Sequence, residues 1–155
     1  MGETGEGAQQ NVRPSGPVLV VDDEPEIRAF VQLALEDEGY AVRTASDGAD
    51  ALDALEALRD ERPCAILLDL RMPGMDGTAF VEEYRARAAA GNRRPAPIIV
   101  LTASRTPVEE VTALGVEGVL RKPFEVEELL ETLARHATCV SSDGETESGG
   151  DGARN

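Results

Sequence analysis

Apolar residues in this chain come in short unbroken runs separated by stretches with a three-to-four-residue rhythm. The runs are Val18-Leu19-Val20-Val21, Ile66-Leu67-Leu68, Ile98-Ile99-Val100-Leu101 and the shorter Val119-Leu120. Consecutive apolar residues predict strands buried on both faces. The segment Tyr40-Ala41-Val42-Arg43-Thr44 alternates instead, and predicts a short edge strand. Between the runs, Pro25 suits the opening of a helix capped by Asp23 or Glu24, with Ile27, Phe30, Val31, Ala34 and Leu35 on one face and Gly39 as its stop. A second helix, capped near Ser46 or Asp47, turns Ala51, Leu52, Leu55 and Leu58 inward. A third runs through Phe80, Val81 and Tyr84, a short fourth spans about 107–114, and a fifth is marked by Val126, Leu129, Leu130 and Leu133. Five strand–helix alternations imply an α/β fold with a parallel sheet covered on both faces and right-handed crossovers.

The ends of the chain break this rhythm. Residues 1–16 and 138–155 hold little to bury and are expected to be disordered tails flanking a folded region, 17–137. The net charge is −15. The first tail carries −1 and the second −3, which leaves −11 on residues 17–137, so the acidity belongs to the folded part. Such a surface argues against sequence-independent binding to nucleic acid and against attraction to anionic lipid. No apolar run approaches the roughly 20 residues of a membrane helix, and the first residues lack the apolar region of a secretory signal. Cys64 and Cys139 are far apart and in no metal-ligand spacing. They are expected to be free thiols in a reduced cytoplasmic protein, with Cys64 a small hydrophobe at the start of a strand.

Candidate chemistry appears where the apolar runs stop. Asp22 and Asp23 follow the first, Asp69 the next long one, Thr102 the third and Lys122-Pro123 the last. Open parallel sheets bind ligands along the edge formed by the carboxyl ends of their strands. Each residue has a bland alternative: Asp22-Asp23 as a helix cap, Thr102 as an ordinary strand residue, Lys122 as a solvated charge. Asp69 is the exception, because a carboxylate closing a buried run needs a partner for its charge. Each group also closes a different strand. Three carboxylates placed together require a cation, and hard oxygen donors suit Mg²⁺. The lysine and the hydroxyl complete a set fitted to a phosphoryl group. There is no Gly-rich loop ending in Lys-Ser/Thr, so nucleotide is not the indicated phosphate source. A carboxylate nucleophile accepting the phosphoryl group directly is the remaining arrangement.

These residues resemble the receiver domains of two-component response regulators. The resemblance is carried by Asp22-Asp23, by Asp69 within Leu67-Leu68-Asp69-Leu70-Arg71-Met72-Pro73-Gly74-Met75-Asp76-Gly77, by Thr102-Ala103 and by Lys122-Pro123-Phe124. It implies a doubly wound, flavodoxin-like (βα)5 fold with strand order 2-1-3-4-5. It implies that Asp69 takes a phosphoryl group from a sensor histidine kinase or a histidine phosphotransfer protein and signals to a downstream protein partner. Mg²⁺ would be held by Asp23, Asp69 and the backbone carbonyl of Arg71, with Asp22 acting directly or through water. Lys122 would pair with Asp69 and then with the phosphoryl group, and Thr102 with the backbone N–H of Ala103 would hold another of its oxygens. The Lys122–Pro123 bond matches the position of a cis peptide. Two departures stand out: Thr102 and Lys122 lie 20 residues apart, closer than is usual in the family, and the switch position differs. The position that usually carries an aromatic switch residue is Val119.

With no further apolar periodicity after residue 137, a stand-alone phospho-acceptor rather than an enzyme is expected. Two competitors are weighed. A phosphatase of the haloacid dehalogenase type would carry Asp-x-Asp at its first strand, where this chain has adjacent Asp22-Asp23. A receiver that is never phosphorylated, serving only as an interaction module, would not need the complete acidic set. His136, the only histidine, is most simply a helix-end residue.

Overall fold

The computed structural model describes residues 16–58, 61–72, 74, 76–103 and 107–137. Five strands, β1 (Val18–Val21), β2 (Val42–Ala45), β3 (Ala65–Asp69), β4 (Ile98–Thr102) and β5 (Gly118–Arg121), form one sheet. Five helices alternate with them: α1 (Pro25–Asp37), α2 (Gly48–Leu58), α3 (Gly77–Ala90), α4 (Val108–Leu114) and α5 (Val126–His136). The sheet order is β2-β1-β3-β4-β5 with every pairing parallel, as the sequence leads one to expect. Apart from Gly16, the expected disordered stretches 1–16 and 138–155 lie outside the described residues.

Strand side chains alternate between faces, which lets an unbroken apolar run feed two cores at once. Leu19, Val21, Ile66, Leu68, Ile98 and Val100 join a cluster with Phe80, Val81 and Tyr84 of α3 and with α2 and α4. Val18, Val20, Ala65, Leu67, Ile99 and Leu101 join Val31 and Leu35 of α1 and Leu129 and Leu133 of α5. All residues of β1, β3 and β4 are buried. The edge strands β2 and β5 are only partly covered, in keeping with their mixed sequences.

The helix starts follow the sequence with one difference. Asp47 caps α2 by accepting from the Asp50 N–H at 2.8 Å, and Asp76 caps α3 by accepting from Ala79 N–H. At α1, Glu24 holds the cap position and Pro25 follows, yet the Glu24 side chain makes no cap hydrogen bond. Phe30 also departs from the expected inward face. It is 41% exposed and lies 6.1 Å, centroid to centroid, from Phe124. The apolar stripe of α1 is wider than the sheet can cover, so its rim packs on the loop before α5.

Two glycines fix close approaches. A Cβ on Gly77 would lie 2.6 Å from the Leu70 Cα, so only glycine lets α3 begin against the residue after Asp69. A Cβ on Gly118 would lie 2.8 Å from the His136 ring, which seats the end of α5 on the start of β5. Cys64 is buried in the layer beneath α1 and α5 and is disulfide-bonded, which corrects the expectation of a free thiol. Spacing along the chain, on which that expectation stood, does not bound spacing in a folded parallel sheet. Cys139 lies outside the described residues.

Candidate functional site

Parallel register brings the strand ends to one edge. Val21 pairs with Leu68 and Asp69 with Leu101, while Thr102 pairs with Arg121. The next residues in the chain, Asp22 and Lys122, therefore stand beside Asp69 and Thr102. The Lys122 N–H donates to the Thr102 carbonyl at 2.7 Å, continuing the β4–β5 ladder by one step. The Lys122–Pro123 peptide is cis.

Asp22 is fully buried, and both of its carboxylate oxygens are occupied. Oδ1 accepts the Glu24 N–H at 2.9 Å, and Oδ2 accepts the Lys122 ammonium at 2.9 Å. Its backbone carbonyl accepts Arg28 Nη1 at 2.7 Å. Asp23 is exposed. Asp69 is 5% exposed, and its Oδ1 accepts the Arg71 N–H at 3.0 Å. The ammonium of Lys122 is 3.7 Å from Asp69 Oδ2, an ion-pair distance but too long for a hydrogen bond. Its hydrogen bonds go to Asp22 and, at 3.3 Å, to Glu24.

Burial is the main influence on Asp69. Desolvation pushes its pKa up to about 6, the Arg71 N–H opposes this, and the charges of Asp22 and Asp23 add to it against the pull of Lys122. Desolvation of Lys122 disfavours its charge, but the hydrogen bond and charge of Asp22, helped by Asp69 and Glu24, hold its pKa above the ordinary lysine value. Thr102 is 2% exposed, and its Oγ1 makes no hydrogen bond among the described residues. An unpaired buried hydroxyl costs free energy, and in native structures it often marks a place for a missing partner.

Asp22, Asp23 and Asp69 each offer a carboxylate oxygen within 4.8 Å of the others. The donors are all hard oxygens, and two of the three carboxylates are withdrawn from water beside a single ammonium. Such a set fits a hydrated divalent cation of the Mg²⁺ kind. Ala103 and Arg71 are both exposed at the mouth of this site. Val119 stands apart, 42% exposed on the outer face of β5.

Two contributors were not singled out from the sequence. Glu24 reads from the sequence as a cap candidate alone, although it sits in the same acidic run; Arg28 is one helical turn beyond Pro25 and carries no motif signal. Met72 packs into the core, whereas Pro73 and Met75 lie outside the described residues.

The sequence matches the response regulator receiver domain across residues 18–134. It is 39% identical over 118 residues to the response regulator MprA of Mycobacterium tuberculosis H37Rv, covering 75% of this chain and 48% of that protein. It is 39% identical over 134 residues to MprA of Mycolicibacterium vanbaalenii, covering 83% and 54%. The chain thus spans about half the length of these relatives. Among solved structures, the chemotaxis response regulator CheY4 of Vibrio cholerae superposes with a TM-score of 0.67 at 39% identity, covering 79% of this chain and 98% of that one. A receiver protein of Pseudomonas putida gives 0.68 at 31% identity, covering 80% and 99%. No helix among the described residues is long and apolar enough to cross a membrane.

Proposed function

The chain belongs to the response regulator receiver domain family, and from that premise we propose that Asp69 accepts a phosphoryl group from the phosphohistidine of a sensor histidine kinase or phosphotransfer protein in the cytoplasm. An Asp69 oxygen attacks phosphorus, the phosphorus–nitrogen bond to the donor imidazole breaks, and an acyl phosphate forms as the imidazole takes up a proton. The observation that carries this reading is the convergence, at one sheet edge, of a buried carboxylate, an ammonium and an unsatisfied buried hydroxyl.

The family binds Mg²⁺ at an acidic cluster, and here Asp23, Asp69 and the backbone carbonyl of Arg71 would hold the ion. Asp22 already receives two hydrogen bonds and would act mainly through water. When bound, Mg²⁺ neutralises the carboxylates and the phosphoryl oxygens together. Lys122 would turn to the phosphoryl oxygens. Thr102 would donate its hydroxyl there beside the Ala103 N–H, which gives the orphaned Oγ1 a partner.

Phosphorylation adds charge and strong acceptors. Drawing Thr102 inward would move the segment between β4 and α4 and alter a surface read by a downstream protein. With Val119 in place of an aromatic ring, that rearrangement would not pass through a rotating aromatic side chain at this position. Acetyl phosphate with Mg²⁺, followed by intact mass, tests the assignment. One added phosphoryl group is expected in the wild type and none in Asp69→Asn. A phosphoryl group retained in Asp69→Asn would place the acceptor elsewhere.

A further inference from the structure

Lys122 is the only lysine in the chain; the other basic residues are arginines. Its ammonium has three donors to place. In the structure its hydrogen bonds go to Asp22 at 2.9 Å and Glu24 at 3.3 Å, while Asp69 Oδ2 is 3.7 Å away. Glu24 has no part in the phosphoryl chemistry proposed above, yet its placement is closely determined. As the residue before Pro25 it is confined to extended backbone, and it shows φ −91° and ψ 115°. Its N–H is held by Asp22 Oδ1. A residue at this cap position ordinarily spends its side chain on the first turn of the helix. Glu24 does not, and its carboxylate reaches the lysine.

We propose that Glu24 is a positioning residue that holds the Lys122 ammonium toward Asp22 in the resting protein and yields it to the phosphoryl group on Asp69. The proposal rests on the reading of Asp69 as the acceptor. When phosphoryl oxygens arrive, the ammonium, 3.7 Å from Asp69 Oδ2, has to move toward Asp69, and a contact it now holds has to lengthen. Giving up Asp22 would strand a fully buried carboxylate. Giving up Glu24 strands nothing, because its side chain is 57% exposed and rehydrates. Glu24 therefore competes with the phosphoryl group for the same ammonium, and its removal favours the phosphorylated arrangement.

The lone lysine makes the test direct. Labelling with ¹⁵N-lysine gives a single side-chain ammonium signal. In resting, Mg²⁺-free protein, Glu24→Gln is expected to shift that signal and to speed exchange of its protons with water. Glu26→Gln removes an exposed carboxylate two residues along and is expected to leave the signal in place. Glu24→Asp keeps the charge but shortens the reach, and should behave like Glu24→Gln. With acetyl phosphate and Mg²⁺, the initial rate of Asp69 labelling is expected to rise about two- to fivefold in Glu24→Gln, the scale of an exposed ion pair. It should stay at the wild-type value in Glu26→Gln. An unchanged lysine signal in Glu24→Gln overturns the proposal. So does a labelling gain shared equally by Glu26→Gln, or a wild-type Glu24→Asp, since either would make charge alone responsible. Absence of labelling in the wild type would overturn the acceptor reading and the yielding step with it. The resting-state lysine signal would then still decide whether Glu24 holds Lys122.

Discussion

The ends of β1 and β3 and the side of the molecule formed by α4 and β5 are built in opposite ways. At the first, buried polar groups are tightly tied: Asp22 receives two hydrogen bonds on its carboxylate and a third on its carbonyl, and Asp69 is fixed by the Arg71 N–H. At the second, α4 has only seven residues and begins at Pro107 with no side-chain cap. Its far end is held instead, by Arg85 of α3, which donates to the Leu114 and Gly115 carbonyls at 2.6 and 3.0 Å. Thr102 lies between the two regions, and its hydroxyl makes no hydrogen bond among the described residues. The lesson is mechanical. A change at the strand ends meets, on one side, a site tied by side-chain hydrogen bonds and, on the other, a helix whose side-chain ties among the described residues are at its C-terminal end.

The largest effect expected is on the stiff side. Asp69→Asn should abolish phosphoryl labelling while stabilising the Mg²⁺-free protein, because it removes a carboxylate that is costly to ionise in place. The sign follows from the pKa of about 6 against an ordinary 3.8. The folded state binds this proton more tightly than the unfolded state, so the stability it contributes is present below about pH 4 and lost as pH rises through 6. A shift of about two units is worth at most about 3 kcal/mol. Thermal unfolding of wild type and Asp69→Asn between pH 4 and 8 should therefore converge at the acid end and separate at the neutral end. Added Mg²⁺ should narrow the gap by stabilising only the wild type. Parallel unfolding curves for the two Mg²⁺-free proteins from pH 4 to 8 would contradict this environment for Asp69.

The two regions also differ in how far they could be read from sequence. The stiff site was legible because each of its groups closes an apolar run, and parallel register brings run ends together whatever the details of packing. Strand order was legible only through family resemblance, since periodicity cannot order strands. Several finer features escaped. The contact of Lys122 with Glu24 depends on a side-chain direction, and Glu24 had a sufficient alternative role as a cap. The exposure of Phe30 depends on the width of the sheet beneath α1. The disulfide at Cys64 depends on distance in space. Arg85 gave no signal at all, because its acceptors are backbone carbonyls 29 and 30 residues away.

Removing that arginine is the next largest test, and it acts on the loose side. Arg85→Ala deletes two charge-assisted hydrogen bonds to the end of α4, worth roughly 1–2 kcal/mol for a partly exposed group. Hydrogen exchange should speed selectively in α4 and leave the amides of β1 and β3 protected. Labelling of Asp69 should remain near wild type. Uniform acceleration across the sheet, or loss of labelling, would show that the two regions are not mechanically separate.

The smallest effect is expected at Val119, where the comparison is most delicate. The side chain is 42% exposed and borders a cavity of about 530 Å³ together with Val111, Arg121 and Glu128. A larger residue therefore has room, and Val119→Tyr should change stability by no more than about 0.5 kcal/mol in thermal unfolding. Because position 119 lies away from the strand-end site, the substitution should leave the extent and rate of Asp69 labelling unaltered. The new ring should nevertheless report the rearrangement through a phosphorylation-dependent change in tyrosine emission absent from the wild type, whose two tyrosines, Tyr40 and Tyr84, belong to the cores on either side of the sheet. An emission change without altered labelling would mean that the surroundings of position 119 on β5 respond to the strand-end site. A ring insensitive to phosphorylation would confine the rearrangement to the start of α4.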